Sequence, residues 1–376
     1  MDVARIEVLL HQALERFQPP DLSIGMGLLG QAISACELAR SDRSVDAEAW
    51  GMKVVERFNA HGGAAGLYDG LAGMGLLFAL YIPGAEELLE SVDHALLPHL
   101  PSLPPTSLRN GLAGLAIYAS TRSQSPSGQA LQRALVHYLA AVAVADGEGL
   151  VWNTDPAYAR QRTLDASALP VREFGMAHGM AAILVALSAL ARQGHGPARE
   201  MGGRALRWME SHARAAPNRY GWFELGGRDE LANPATWCTG DPGAIRARYL
   251  CAQACGDMAA VNRALEMARD LAAHWTDLYA PSRREALIDL CCGSTAVAQI
   301  LRRFHLDTGE TIFQSASAAI FAQSERELDS LHSDSFQFGK LGVLTALLSF
   351  ASNRAPTWDC VLGLSYPESL VAASLE

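Results

Sequence analysis

Two kinds of helical segment alternate along the chain. The first kind is apolar on nearly every side, as in residues 74–82, 115–120, 180–191 and 343–350. The second kind is apolar on one face and charged on the other, as in residues 46–58, 129–145, 197–215, 258–275 and 311–328. A helix that is apolar all round is buried, whereas an amphipathic helix faces solvent on one side. The pattern therefore predicts buried helices that alternate with outer helices.

A short glycine phrase precedes the apolar segments and occurs seven times. Its copies begin about 40 to 70 residues apart and occupy residues 27–30, 70–73, 111–114, 179–182, 240–243, 293–296 and 339–342. Five copies end in glycine, and two end in Ala182 and Ala296. Glycine at a helix start allows a tight turn and a close approach to the neighbouring helix. We interpret the glycines themselves as packing devices.

The repeat predicts a closed architecture. An open stack of helix pairs needs capping repeats at both ends, whereas a ring of inner helices surrounded by outer helices has no ends to cap. We therefore predict an all-α protein, an α/α toroid of about seven inner and seven outer helices. The repeats run through the whole sequence, so residues 1–376 are expected to form one domain.

Two segments interrupt the repeat and lack helical periodicity. They are residues 147–172 and 218–236, and both are rich in glycine, proline and polar residues. Long irregular segments in a compact domain are commonly functional. If helices alternate in direction, both segments leave the end of the toroid that carries the glycine phrases. They are expected to form the rim of a cleft there.

The composition narrows the classes of partner and compartment. The net charge is −10 and no run of Lys or Arg is present, which argues against nucleic acid as a main partner. Residues 1–17 form an amphipathic pattern without the features of a signal peptide. The apolar segment 180–191 is too short to span a bilayer. We expect a cytoplasmic protein with no membrane span.

Three of the seven cysteines lie beside repeat glycines. Cys238 precedes the fifth phrase, and Cys291 and Cys292 precede the sixth. If the repeats are neighbours in a ring, equivalent positions lie side by side, and these thiols meet. Thiolates are soft ligands suited to zinc, which keeps an open position in catalytic sites. The alternative is that these cysteines are buried core residues.

The other cysteines carry a weaker signal. Cys251 and Cys255 are four residues apart and share a helix face, which fits core packing better than a second metal site. Cys36 and Cys360 are isolated and are interpreted as structural. His178 has the register of the three cysteines, in the fourth phrase. A histidine in a cleft is a natural acid–base group, and the alternative is a hydrogen-bonded histidine of the core.

The phrases GLAG, AHG, WCTGDPG and LCCG, in this order, resemble those of the lanthionine synthetase C-like cyclases. The resemblance covers essentially the whole chain. It implies an α/α toroid and a zinc-dependent enzyme that adds a peptide cysteine thiol to dehydroalanine or dehydrobutyrine. The product is a lanthionine or methyllanthionine thioether ring. The implied cofactor is Zn²⁺, and the implied partner is a dehydrated precursor peptide.

The resemblance also implies roles for individual residues. Cys238 and Cys291 match two cysteine ligands of zinc. Cys292 stands where most members have histidine, so the site is of the CCG type, with three sulfur ligands. His178 matches the histidine of the AHG phrase, a proposed acid–base residue. A bound thiolate is expected to be more nucleophilic at such an electron-rich site.

One position departs from the family pattern. Ser107 stands where many members have aspartate, four residues before the third phrase. Either Asp69 or Asp241 acts as an auxiliary acid, or His178 works alone, or activity is reduced. No kinase, lyase or dehydratase segment is evident, so dehydration is expected to need a separate enzyme of the same pathway. Two alternatives to the cyclase stay open: glutathione-type thiol addition to dehydrated peptides, and a non-catalytic peptide-binding relative.

Overall fold

The computed structural model describes residues 2–161, 172–212, 235–278 and 287–367. Within these ranges the helices are numbered α1 to α15 along the chain, and all except the short α8 (Pro156–Gln161) form two concentric rings. The seven inner helices are α2 (Leu28–Ala39), α4 (Leu71–Tyr81), α6 (Leu112–Ser120), α9 (Met180–Arg192), α11 (Asp241–Cys255), α13 (Ser294–Thr308) and α15 (Lys340–Ala351). The seven outer helices are α1 (Val3–Arg16), α3 (Ala47–His61), α5 (Glu86–Leu96), α7 (Pro126–Ala141), α10 (Gly196–Ser211), α12 (Met258–Leu278) and α14 (Thr311–Arg326).

The inner ring is closed. Each inner helix packs against the next one along the chain, and α15 packs against α2 to complete the circle. Each outer helix lies against an inner neighbour, and α1 covers α15 and α2. The inner helices are buried on nearly all sides, as their apolar sequences predict. The predicted α/α toroid with about seven inner and seven outer helices is confirmed.

The glycine phrases make the turns that begin the inner helices. The first glycine of each phrase precedes the first residue of its helix, with an extended backbone at Gly27, Gly111, Gly179, Gly240, Gly293 and Gly339. The last glycine packs closely on its own loop, since a Cβ on Gly73 would collide with the carbonyl oxygen of Leu67. The predicted packing role therefore holds for this position.

The loops before the seven phrases form a second, smaller ring at one end of the toroid. Backbone hydrogen bonds join neighbouring loops: Ile24 donates to Tyr68 (2.6 Å), Tyr68 to Arg109 (2.7 Å), Leu108 to Ala177 (3.0 Å), Ala177 to Cys238 (3.0 Å), Leu290 to Gln337 (3.0 Å) and Gln337 to Gly25 (2.9 Å). Equivalent positions of distant repeats are thereby brought side by side.

The C-terminal segment fills part of the interior of the ring. It includes a 3₁₀ helix, Trp358–Leu362, whose residues are all buried. The indole of Trp237 donates to the carbonyl of Leu362 at 2.8 Å, and Arg246 donates to that of Leu364 at 2.8 Å. Asp359 is fully buried and accepts a bidentate pair of hydrogen bonds from Arg303 on α13. Through the bond from Trp237, this segment contacts the loop ring from the interior of the toroid.

The first irregular segment differs from its prediction. The predicted outer helix 129–145 ends at Ala141, and the chain turns into a hairpin of β1 (Val144–Asp146) and β2 (Gly149–Val151). The hairpin is antiparallel and is followed by the short helix α8 (Pro156–Gln161). The β-branched residues Val144 and Val151, which pair across the hairpin, favour extended backbone here. The second predicted rim segment, 218–236, lies almost entirely outside the described residues.

Candidate functional site

The loop ring has three layers that repeat with the glycine phrase. Counting back from the first glycine of each phrase, the third residue is apolar and buried in all seven loops: Ile24, Leu67, Leu108, Met176, Trp237, Leu290 and Phe336. The second residues form the floor of a cleft, and they are Gly25, Tyr68, Arg109, Ala177, Cys238, Cys291 and Gln337. The first residues are partly or largely exposed to the cleft, and they are Met26, Asp69, Asn110, His178, Thr239, Cys292 and Phe338.

The structure brings Cys238, Cys291 and Cys292 together, and their three sulfur atoms lie within 4.8 Å of one another. The Sγ atoms of Cys238 and Cys292 are 3.6 Å apart, and those of Cys291 and Cys292 are 3.8 Å apart. Sulfurs at tetrahedral positions about 2.3 Å from a zinc ion are about 3.8 Å apart. The cluster therefore has the spacing that a zinc ion requires.

Asp289 shapes the turn that carries two of these cysteines. One oxygen of its carboxylate, Oδ1, accepts hydrogen bonds from the amides of Cys291 (2.7 Å), Cys292 (2.8 Å) and Gly293 (3.1 Å). Burial raises the pKa of this carboxyl, although the three amide donors oppose the shift. The turn is therefore held by a side chain that sequence analysis did not single out.

The three thiols differ in pKa, so one of them loses its proton more readily than the other two. Hydrogen bonds from Cys291 and Cys292 hold the pKa of Cys238 well below its usual value. The pKa of Cys292 is raised to about 12, and that of Cys291 is also raised, chiefly because both lie against the Cys238 thiolate. The protein alone thus accommodates one thiolate here. Three thiolates side by side require a cation, which the donor set suits.

His178 lies at the cleft layer of the adjacent fourth loop. The peptide of Ala177, its neighbour in sequence, donates to the carbonyl of Cys238 at 3.0 Å. His178 Nδ1 lies 3.1 Å from Ser107 Oγ, and the ring stacks on Tyr158 with centroids 3.9 Å apart. Tyr158 belongs to α8, so the first irregular segment reaches the cleft as a rim, as predicted.

The two auxiliary acids lie in different places. Asp69 is in the cleft layer of the second loop, three loops from the cysteine-bearing fifth loop, and burial raises its pKa. Asp241 is buried as the first residue of α11, where a carboxylate is favoured by the helix dipole. Neither holds the place of the missing aspartate, because Ser107 contacts His178 itself.

The other cysteines lie away from this cluster. Cys251 is buried and its Sγ is 4.0 Å from that of half-buried Cys255, and Cys251 donates to the carbonyl of Gly202. Among the described residues, Cys238, Cys291 and Cys292 form the one group of three or more metal-binding side chains. Cys36 and Cys360 are buried, and burial raises the pKa of Cys36 to about 12.

Three floor residues were not predicted: Tyr68, Arg109 and Gln337. The Arg109 guanidinium lies 5.2 Å from the centre of the Tyr68 ring. The pKa of Tyr68 is raised, first by burial and further by the nearby Cys291 and Cys238, so the phenol keeps its proton. A signal for all three was present in the sequence, because they share the register of Cys238 and Cys291.

Comparisons with known proteins agree on the family and the fold. The structure is similar to that of nisin cyclase, with a TM-score of 0.78 over 96% of this chain and 97% of that chain, at 17% identity. No curated protein matches the sequence significantly. The profile of the family "Lanthionine synthetase C-like protein" matches residues 108–362, more than half of the chain. The chain belongs to the lanthionine synthetase C-like family.

Proposed function

We propose that this protein is a zinc-dependent lanthipeptide cyclase. It adds cysteine thiols of a dehydrated precursor peptide to dehydroalanine or dehydrobutyrine and forms lanthionine or methyllanthionine rings. The observation that carries the proposal is the cluster of Cys238, Cys291 and Cys292 at one end of the toroid, with His178 on the adjacent loop.

The cysteine cluster has the spacing and donor set of a zinc site with three sulfur ligands. When bound, zinc supplies a Lewis acid that lowers the pKa of a peptide thiol, so that the thiolate attacks near neutral pH. Asp289 holds the amides of the Cys291–Cys292 turn and so keeps two of the thiols in place. These residues therefore serve the nucleophile of the reaction.

His178 serves the proton transfers. Addition of the thiolate to Cβ of the dehydro residue leaves an enolate, whose Cα must receive one proton. General acid–base groups act within hydrogen-bond reach and have a pKa near the working pH, which suits imidazole. Ser107 and Tyr158 hold the ring of His178 in the cleft, one through a hydrogen bond and the other by stacking.

The proposal extends to the context of the enzyme. We propose that residues 1–376 act as one domain, since α15 closes the ring on α2 and α1 covers both. A separate dehydratase or kinase/lyase would supply the dehydrated peptide. All seven cysteines are free thiols, which is consistent with a reducing compartment such as the cytoplasm. Within the described residues, no helix is long and apolar enough to cross a membrane.

The test is incubation of the zinc-loaded protein with a dehydrated peptide that contains one cysteine. Cyclisation removes the free thiol without a change in mass, so the product should resist alkylation and fragment as a ring. Cys291→Ala is the matched inactive control. A parallel reaction with a cysteine-free dehydrated peptide and glutathione tests the alternative activity. If the peptide thiol stays free in the first reaction, the cyclase is excluded, whether or not a glutathione adduct forms in the second.

A further inference from the structure

The floor of the cleft has a corner without a side chain at Gly25. This residue occupies in the first loop the position that Cys238 and Cys291 occupy in the fifth and sixth. A methyl group on Gly25 would lie 3.0 Å from Gln337 Oε1 and 3.6 Å from Arg109 Nη2. The amide of Gln337 and the guanidinium of Arg109 therefore lie close against Gly25, where a side chain would crowd them.

Two side chains on the floor have polar atoms without a hydrogen-bond partner in the described part of the chain. Gln337 is 1% exposed, and neither its amide nitrogen nor its amide oxygen has a hydrogen-bond partner among the described residues. The hydroxyl of Tyr68, 2% exposed, is in the same situation within the described chain. Buried polar groups without partners are costly. The two amide atoms of Gln337 at this corner, with the Tyr68 hydroxyl on the next floor residue, indicate a polar ligand.

Arg109 supplies the charge. Its guanidinium rests over the Tyr68 ring, and in the described part of the chain no carboxylate lies within ion-pair distance of it. A guanidinium fixed on an aromatic face keeps its N–H donors available and is well suited to an anionic oxygen. The ligand of the corner is therefore expected to carry an oxygen that is, or becomes, negative.

We propose that Arg109 and Gln337 form an oxygen-binding subsite for the acceptor residue of the substrate, with Tyr68 as the platform for Arg109. The subsite holds the carbonyl oxygen of the dehydro residue. This inference rests on the proposed cyclase function. It assigns two further catalytic residues, one in the third loop and one in the seventh.

The chemistry of the addition requires a group at this place. The thiolate forms a C–S bond to Cβ, the π electrons of the Cα=Cβ bond move to Cα–C, and the carbonyl π electrons move onto oxygen. Protonation of Cα then restores the carbonyl, so atoms and electrons balance without another reactant. Donors aimed at the developing oxyanion favour the transition state over the ground state.

The position of the subsite fits this sequence of events. Gln337 belongs to the seventh loop, next to the sixth, and its carbonyl accepts a hydrogen bond from the amide of Leu290, which precedes Cys291. The reacting Cβ and the carbonyl oxygen are separated by only two intervening carbon atoms. A peptide whose thiol lies at the cysteine cluster can therefore place the acceptor carbonyl over the neighbouring corner.

The test uses the full-length, zinc-loaded protein and three changes at the corner. Gly25→Ala places a methyl group 3.0 Å from Gln337 Oε1, Gln337→Leu removes the amide, and Arg109→Met removes the positive charge. Gly203→Ala is the control, because a methyl group there would meet only Arg207 Nη1, at 3.8 Å, on an outer helix. Zinc content, kcat and KM are measured on a dehydrated peptide with one cysteine. Dissociation constants are measured with a cysteine-free dehydrated peptide.

Removing one donor to a developing oxyanion lowers kcat by about 10²–10³-fold. We expect losses of that size in Gln337→Leu and Arg109→Met, with full zinc content and a several-fold larger dissociation constant. Arg109→Lys should recover part of the lost rate. Gln337→Glu keeps the shape and places a negative charge beside the oxygen, so it should be worse than Gln337→Leu. Gly203→Ala should match the wild type.

Two results separate this inference from the proposed function. If the wild type cyclises and all corner variants keep kcat within threefold, the subsite is wrong and the cyclase stands. If the wild type binds the cysteine-free peptide but does not cyclise, the cyclase is wrong, and the dissociation constants decide. Equal constants in the wild type and the variants would then overturn the subsite, and so would a wild type that neither cyclises nor binds the peptide.

Discussion

Ser107 Oγ lies 3.1 Å from Nδ1 of His178, so the residue that replaces the usual aspartate of the family contacts the imidazole directly. Ser107 donates its single hydroxyl proton to Asn110 Oδ1 at 2.6 Å. Its oxygen therefore accepts from Nδ1–H of His178, which assigns the proton exchange with the substrate to Nε2. Compared with an aspartate at this position, Ser107 also orients the imidazole through a hydrogen bond but carries no negative charge.

Exchange of Ser107 should change the pH dependence of cyclisation. A carboxylate in Ser107→Asp favours the imidazolium form. If His178 is the proton donor, activity falls as the pH rises through its pKa, so this alkaline limb should move to higher pH in Ser107→Asp. Ser107→Ala should lose about 3- to 10-fold in rate, as expected for one neutral hydrogen bond. Rate–pH profiles that coincide for all three proteins would refute the coupling.

His178 is predicted to transfer protons and to leave zinc binding to the cysteines. Three cysteines fill the protein's share of a tetrahedral catalytic site. His178→Asn should therefore retain full zinc and lose about 10²–10⁴-fold in rate, toward the upper end because Ser107 stands in place of the usual aspartate. Zinc content and cyclisation are measured on the same samples. A variant that loses zinc would make His178 a ligand, and one of normal rate would make it structural.

The protein is predicted to hold one zinc ion per chain through Cys238, Cys291 and Cys292. Cys238→Ala or Cys291→Ala should lose most of the metal, because two sulfurs remain. Cys251→Ala is the control: this thiol lies within α11 and donates to the carbonyl of Gly202 on α10, so its loss should leave the zinc content unchanged. Elemental analysis of protein purified with zinc available provides the measurement. A metal-free wild type would contradict the assignment.

Cys292 is predicted to ligate through sulfur. Its Sγ lies 3.6 Å from Cys238 Sγ and 3.8 Å from Cys291 Sγ, the spacing of ligands that share one ion. Cys292→His should still bind zinc, since imidazole is also a zinc ligand, with an altered rate or ring pattern. X-ray absorption of the wild type should show three sulfur ligands from the protein. A spectrum rich in nitrogen ligands would be incompatible with this prediction.

The buried pair of Arg303 and Asp359 is predicted to stabilise the interior of the toroid. Arg303 donates to both oxygens of Asp359, at 2.5 and 2.6 Å, and the carboxylate is fully buried. Arg303→Leu leaves that charge unpaired and should cost about 3–5 kcal/mol in the free energy of unfolding. Chemical denaturation measures the change.

The matched control for this pair lies on the surface. Arg269 donates to both oxygens of Glu310, but it is 42% exposed, so Arg269→Leu should cost less than about 1 kcal/mol. Equal losses in the two variants would show that burial of the Arg303–Asp359 pair has no special weight.

The toroid and the cysteine cluster can be predicted from the sequence alone. Seven glycine phrases before apolar segments predict seven inner helices, because only a closed ring buries both ends of such a series. The common register also predicts that Cys238, Cys291 and Cys292 meet, since equivalent positions of neighbouring repeats lie side by side. Periodicity is a property of the chain, and it can be read without any side-chain coordinates.

The surroundings of these thiols depend on tertiary packing and could not be predicted from the repeat. The hydrogen bond from His178 to Ser107 joins the fourth loop to the third, and the stacking of Tyr158 on His178 depends on the path of an irregular segment. The side chains of Arg109 and Gln337, from two other loops, both lie against Gly25. Such contacts depend on side-chain rotamers and loop packing, which have no period along the sequence. The repeat therefore predicts which residues are neighbours, and packing decides which of their atoms meet.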